Sequence, residues 1–184
     1  MKITLLIATL LLAFNLNAST NETVTLGGKT VHLAGNKISV GDKAPEVKLV
    51  TSDLKEITVG GKTKNTQVFI VVPSIDTKIC DMEARTFNEK AAAMKNVSIY
   101  IISMDLPFAA ARYCAAHGIK NITIVSDFQT KAFAKAYGVL MGDGILKGIE
   151  ARSAFIVKDG VVTYKQLVPE IKTPPDYEAI LNAI

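Results

Sequence analysis

The chain has 184 residues, enough for one domain with a real core. Hydrophobic residues make up 49% and charged residues 21%, ordinary globular usage that excludes disorder, collagen and a coiled coil. The formal charge of +4 is spread as single lysines among acids, Trp is absent, and no basic stripe interleaved with aromatics marks a nucleic-acid surface.

The N-terminal segment differs in kind from the rest of the chain. Met1-Lys2 is a short positive start, residues 3–14 are apolar apart from Thr4 and Thr9, and Asn15-Leu16-Asn17-Ala18 turns polar and ends small. This layout predicts a secretory signal peptide over residues 1–18, cleaved after Ala18. The apolar run falls short of the roughly 20 residues a spanning helix needs. Residues 19–184 are then expected as one exported domain, periplasmic in a bacterium, with no stable membrane association after cleavage.

Within that domain, residues 24–26 and 30–33 flank Gly27-Gly28-Lys29, a hairpin signal. Short strands are predicted at 47–50 and 57–59. Residues 67–72 (QVFIVV) form a continuous β-branched and aromatic run, as expected of a strand covered on both faces. Pro73 ends it, because proline cannot donate to the ladder. Ser74-Ile75-Asp76-Thr77 is a polar turn, and from Lys78 onward the pattern is helical, with Ile79, Met82, Phe87 and Ala91 on its apolar face. Met82 and Phe87 are read as core or pocket wall. Thr77 is the N-cap candidate, which puts Cys80 in the first turn.

Val97–Ser103 predicts a second buried strand, and Pro107–His117 a helix with proline at its start and Gly118 past its end. A third strand is expected at 121–125 and a short helix at 130–137. Residues 153–157 and 161–165 flank Lys158-Asp159-Gly160, a second hairpin, and 175–184 close the chain as a helix. Strands alternating with helices argue a βαβ-built, three-layer α/β domain with the late hairpin at a sheet edge.

Cys80 and Cys114 are the only cysteines. An even pair in an exported protein is first read as a structural disulfide. The position of Cys80 supports a second reading. Free N–H groups and the positive end of the helix dipole favour a thiolate there, and the thiolate is the nucleophile. Asp76 and Asp81 oppose that charge, so a cation is needed nearby, with Lys78, Arg85 and the more distant Arg152 as candidates. His117 follows Cys114 on one helix face and is read as a helix-end residue. The spacing of the cysteines with His32 and His117 matches no zinc site, no other metal or cofactor is expected, and no C-x-x-C is present.

The segment Pro73-Ser74-Ile75-Asp76-Thr77-Lys78-Ile79-Cys80 resembles the active-site segment of bacterial thiol peroxidases, the atypical two-cysteine peroxiredoxins. Matching stretches run from the N-terminal hairpin through Asp105-Leu106-Pro107-Phe108, Ala111-Arg112-Tyr113-Cys114 and Leu146-Lys147-Gly148-Ile149-Glu150-Ala151-Arg152 to Pro175-Asp176-Tyr177-Glu178-Ala179. The resemblance implies a thioredoxin-like α/β fold with an N-terminal β-hairpin extension, and reduction of hydroperoxides at the expense of a thioredoxin-like protein by a homodimer. It also implies roles. Cys80 would be the peroxidatic nucleophile, Cys114 the resolving cysteine that closes a Cys80–Cys114 disulfide, Thr77 a hydrogen-bond donor to peroxide and sulfur, Arg152 the stabilising cation, and Pro73 a shield over the pocket. A secreted binding domain with a structural disulfide, a disulfide-exchange protein and an exported peroxide sensor are the alternatives for the same pair.

Overall fold

A computed structural model describes residues 19–184 of the chain; the expected signal segment, residues 1–18, lies outside them. The first hairpin pairs β1 (Ser19–Leu26) with β2 (Lys29–Ala34) in antiparallel register, Leu26 opposite Lys29. The turn between them needs a left-handed backbone at Gly27 and Gly28, with φ of 60° and 78°. After β3 (Val47–Thr51) and β4 (Glu56–Val59), the apolar run forms β5 (Thr66–Val71), and the predicted helix is α1 (Lys78–Ala91). Then come β6 (Val97–Ser103), α2 (Pro107–His117), β7 (Thr123–Ser126), α3 (Ala132–Ala136) and β8 (Leu140–Met141). The chain closes with β9 (Ser153–Lys158), β10 (Val161–Leu167) and α4 (Tyr177–Ala183).

Seven strands make the main sheet in the order β10-β9-β5-β6-β7-β3-β4. β5, β6 and β7 are parallel at its centre, and antiparallel strands flank them on both sides. Successive β5 side chains point to opposite faces, and each face has its own core. Phe69 and Val71 pack with Phe133, Tyr137 and Phe155 beneath α3. Val68 and Ile70 pack with Cys80, Ala84, Phe87, Tyr113 and Ile180 beneath α1, α2 and α4. The three layers and the edge position of the late hairpin are as predicted.

The smaller sheet, β1-β2-β8, rests on a third cluster in which Val24, Val31, Leu33 and Met141 close over Ala151 and Ile171. The N-terminal hairpin thus packs beside the residue that precedes Arg152.

Several elements differ from the sequence reading. The helix expected at 130–137 shrinks to Ala132–Ala136 because Lys131 turns left-handed, with φ of 55°. α4 starts at Tyr177, where the Asp176 side chain caps it by accepting from the Ala179 N–H at 2.9 Å. Phe87 is core, as expected, but Met82 is 45% exposed, because α1 turns Cys80, Glu83, Ala84 and Phe87 to the sheet instead.

Candidate active site

Cys80 lies in the first turn of α1, fully buried, where the dipole of a helix of about four turns favours negative charge. The approach to that turn is fixed by Asp105, at the end of β6. Its carboxylate accepts hydrogen bonds from the Ser74 hydroxyl (2.9 Å), the Ile75 N–H (2.8 Å) and the Ser103 hydroxyl (2.8 Å). Thr77 occupies the N-cap with extended backbone (φ −94°, ψ 146°), as predicted. Its side chain does not cap the helix. The hydroxyl donates instead to Cys80 Sγ at 2.9 Å, so the usual capping group is spent on the sulfur.

Of the three candidate cations, Arg152 is the one at the sulfur. It stands just before β9, and both Nη1 and Nη2 lie 3.4 Å from Cys80 Sγ. Its Nε donates to the Ile171 carbonyl at 3.2 Å, and Nη1 also pairs with Glu83 Oε2. Arg85 is taken by Asp81 at 2.9 Å, and Lys78 lines the wall of the neighbouring cavity. Both Arg152 and Glu83 are buried, so the guanidinium is held by a fixed ion pair and a backbone carbonyl while its remaining N–H groups face the sulfur. Glu83 was not assigned from the sequence. The available signal was its spacing, three residues after Cys80 and therefore on the same helix face. Its burial was not visible.

Thr77 and Arg152 also line a cavity of about 290 Å³ whose other walls are mostly apolar: Leu26 from the hairpin, Pro73, Ile79, Leu146 and Ile171, with Lys78 and Lys172 completing the lining. Pro73, to which the resemblance assigns a shielding role, is part of that lining. Such a space has room for a small organic molecule among mostly apolar walls, with Thr77, Lys78, Arg152 and Lys172 as its polar residues.

Cys114 is half-buried on α2 and not joined to Cys80; both thiols are free. Burial pushes the Cys114 thiol above its ordinary range, against a hydrogen bond from Ser52. Its neighbour Tyr113 reaches back to α1, the hydroxyl donating to Asp81 Oδ1 at 2.8 Å. His117 stacks on the Tyr113 ring at 4.4 Å and points Nδ1 at the same carboxylate oxygen, 3.6 Å away. Among the described residues, no group of three or more His, Cys, Asp and Glu could hold a metal ion. No helix among them is long and apolar enough to cross a membrane.

Residues 39–181 match the family model described as Redoxin. A thiol peroxidase of Aquifex aeolicus (strain VF5) is 49% identical over 164 residues, which cover 89% of this chain and 96% of that protein. One from Helicobacter pylori (strain J99) is 45% identical over 89% of this chain and 99% of its own. The crystal structure of a peroxiredoxin-like protein from Aquifex aeolicus superimposes with a TM-score of 0.84 at 48% identity, covering 88% of this chain and 95% of that one. With the thioredoxin-like fold and a buried cysteine under threonine and arginine, the chain belongs to the Redoxin family and, within it, to the thiol peroxidases, enzymes of the oxidoreductase class.

Proposed function

We propose that the chain reduces hydroperoxides by a two-cysteine cycle on Cys80 and Cys114. The observation that carries this reading is the convergence of the Thr77 hydroxyl and the Arg152 guanidinium on Cys80 Sγ beside an apolar cavity. In the first step the Cys80 thiolate attacks one peroxide oxygen. The O–O bond breaks, Cys80 becomes a sulfenic acid, and the alkoxide leaves and is protonated to alcohol. Thr77 and Arg152 are placed to stabilise charge as it moves from sulfur to the departing oxygen. The apolar walls favour an organic hydroperoxide over hydrogen peroxide, since an alkyl group buries surface there.

In the second step the Cys114 thiol condenses with the sulfenic acid, releasing water and leaving a Cys80–Cys114 disulfide. A thioredoxin-like dithiol protein then reduces it by exchange. Residues 1–18 are proposed to direct the protein to a periplasm, so that reductant would act outside the cytoplasm. The family resemblance further supports a homodimer as the working form.

The test uses the reduced protein without residues 1–18 and one equivalent of cumene hydroperoxide, quenched within seconds and analysed by intact mass and peptide mapping. Loss of two hydrogens with a linked Cys80–Cys114 peptide is expected, abolished in Cys80→Ser and Cys114→Ser. A sulfenic acid should be trapped on Cys80 in Cys114→Ser. Peroxide that persists while both thiols stay reduced would reject the proposal.

A further inference from the structure

Cys80 and Asp81 are neighbours on α1, as Tyr113 and Cys114 are on α2, and adjacent helical side chains diverge by about 100°. When Tyr113 faces Asp81, the two cysteines are turned to other partners. Cys80 meets Thr77 and Arg152, while Cys114 lies half-buried on α2 with a free thiol. A disulfide needs Cα atoms within about 7 Å and facing Cβ vectors. Cys80 is buried in the first turn of α1 against Thr77 and Arg152, so movement of that turn is what would release its sulfur to Cys114.

What holds that turn is a compact set of contacts. Tyr113 donates to Asp81 Oδ1 at 2.8 Å, with the Asp81 carbonyl 3.2 Å away. Arg85 grips Asp81 Oδ2 at 2.9 Å from within α1, and His117 backs the Tyr113 ring. The Asp81 carboxylate is therefore held from both helices. A cleft of about 380 Å³, bounded by Ile75, Thr77, Lys78, Asp81, Tyr113 and His117, lies beside the contact and leaves room for the turn to move.

We infer that Tyr113 and Asp81 form an interhelical latch that keeps the Cys80 turn helical and sets how fast the Cys80 sulfenic acid passes to Cys114. The inference rests on the proposed Cys80–Cys114 cycle. Tyr113 and Asp81 are positioning residues here, since neither touches the sulfur. The latch divides the cycle in time: closed, it preserves the site that attacks peroxide; open, it lets the sulfenic acid condense with the thiol, releasing water. A tight latch prolongs the sulfenic acid and exposes it to a second peroxide, which would carry it to sulfinic acid.

The experiment follows both steps by quenched-flow mass spectrometry with cumene hydroperoxide, trapping the sulfenic acid and measuring the disulfide. In Tyr113→Phe, which keeps the ring and removes the donor, sulfenic acid formation should be unchanged. Its decay to disulfide should be about tenfold faster, the effect of losing one hydrogen bond to a charged group. Under excess peroxide the fraction of sulfinic acid per turnover should fall. Amide exchange over residues 78–84 of the reduced variant should quicken. Asp81→Asn, which weakens the same contact from the other side, should share the faster decay. Unchanged decay in both variants would overturn the latch while leaving the cycle intact. A wild-type protein that forms no Cys80–Cys114 disulfide would overturn the cycle itself, and the wild-type mass alone distinguishes that result.

Discussion

Thr77 and Arg152 contact the same sulfur but respond differently to substitution. Removing the Arg152 guanidinium would strip the buried Glu83 carboxylate of its ion-pair partner, and breaking a buried pair costs about 3–5 kcal/mol. Lost activity in an Arg152 variant would then mix chemistry with unfolding. Thr77 is the cleaner probe because its hydroxyl caps no helix N–H and donates only to Cys80 Sγ. Thr77→Val should lower the rate of peroxide reduction by about 100-fold, in line with the loss of one oriented donor, with little change in Tm. Thr77→Ser, which keeps the donor, should retain most of the rate. A Thr77→Val variant as active as Thr77→Ser, measured as kcat/KM for cumene hydroperoxide, would show that the hydroxyl does not matter. Thr77 and Cys80 lie within one contiguous segment, so capping and spacing placed both at the start of α1, while the bond between hydroxyl and sulfur was implied by the resemblance alone. Arg152 stood among three candidate cations on local pattern and was singled out only by the resemblance, and the sheet brings it to the sulfur.

At the scale of elements, most boundaries follow from local signals: proline after β5, proline opening α2 and Gly118 closing it. Gly118 is left-handed at φ 62°, and a Cβ there would meet nothing within 4 Å. Gly60 differs. It is also left-handed, at φ 85°, but a Cβ would fall 1.9 Å from the Pro45 carbonyl oxygen, an atom of the backbone that cannot swing away. Gly118→Ala should therefore cost only the left-handed conformation, about 1–2 kcal/mol. Gly60→Ala should cost clearly more, with a Tm drop of at least about 6 °C in thermal denaturation; similar Tm values for the two variants would contradict this. Local pattern fails where an element exists for its neighbours. β8 has only two residues and is a strand because β2 needs a partner at Leu33 and Ala34. Met82 fits the helical apolar period, yet the sheet meets α1 along Cys80, Glu83 and Phe87, and Met82 is left outside.

At the scale of the molecule, the largest polar imbalance among the described residues lies in the segment that leads to Arg152. Glu150 is fully buried with no hydrogen-bond partner for either carboxyl oxygen, and Asp127 Oδ1 lacks one too. Burial pushes the Glu150 carboxyl well above the usual carboxylate range, and the charges of Asp127 and Asp105 push it further; burial raises Asp127 as well. A carboxyl whose folded pKa exceeds its unfolded value holds its proton longer in the folded state. Its contribution to stability is complete below the unfolded value of about 4.3 and is lost as pH rises toward the folded one. Thermal stability should consequently decline from about pH 5 toward pH 8. Glu150→Met, of similar volume and without the charge, should raise stability by about 1–3 kcal/mol near pH 8, with the gain shrinking toward pH 4. Denaturant melts at the two pH values check this, and equal gains at both would refute it.

The amino-acid sequence by itself determined the α/β alternation, the placement of Cys80 in the first turn of a helix behind a buried strand, and the resemblance to thiol peroxidases. These depend on periodicity, capping and contiguous motifs, which are properties of neighbouring residues. The resemblance singled out Arg152 from Lys78 and Arg85. Only the tertiary structure put both its Nη atoms at the sulfur, showed that Glu83 holds it there, and brought Leu26 of the N-terminal hairpin to the cavity wall. It also decided that Asp81, a residue whose charge opposes the Cys80 thiolate in the sequence, has its carboxylate engaged by Tyr113 and Arg85. Burial and pairing arise when strands and helices far apart in the chain are packed together, and no local pattern carries them.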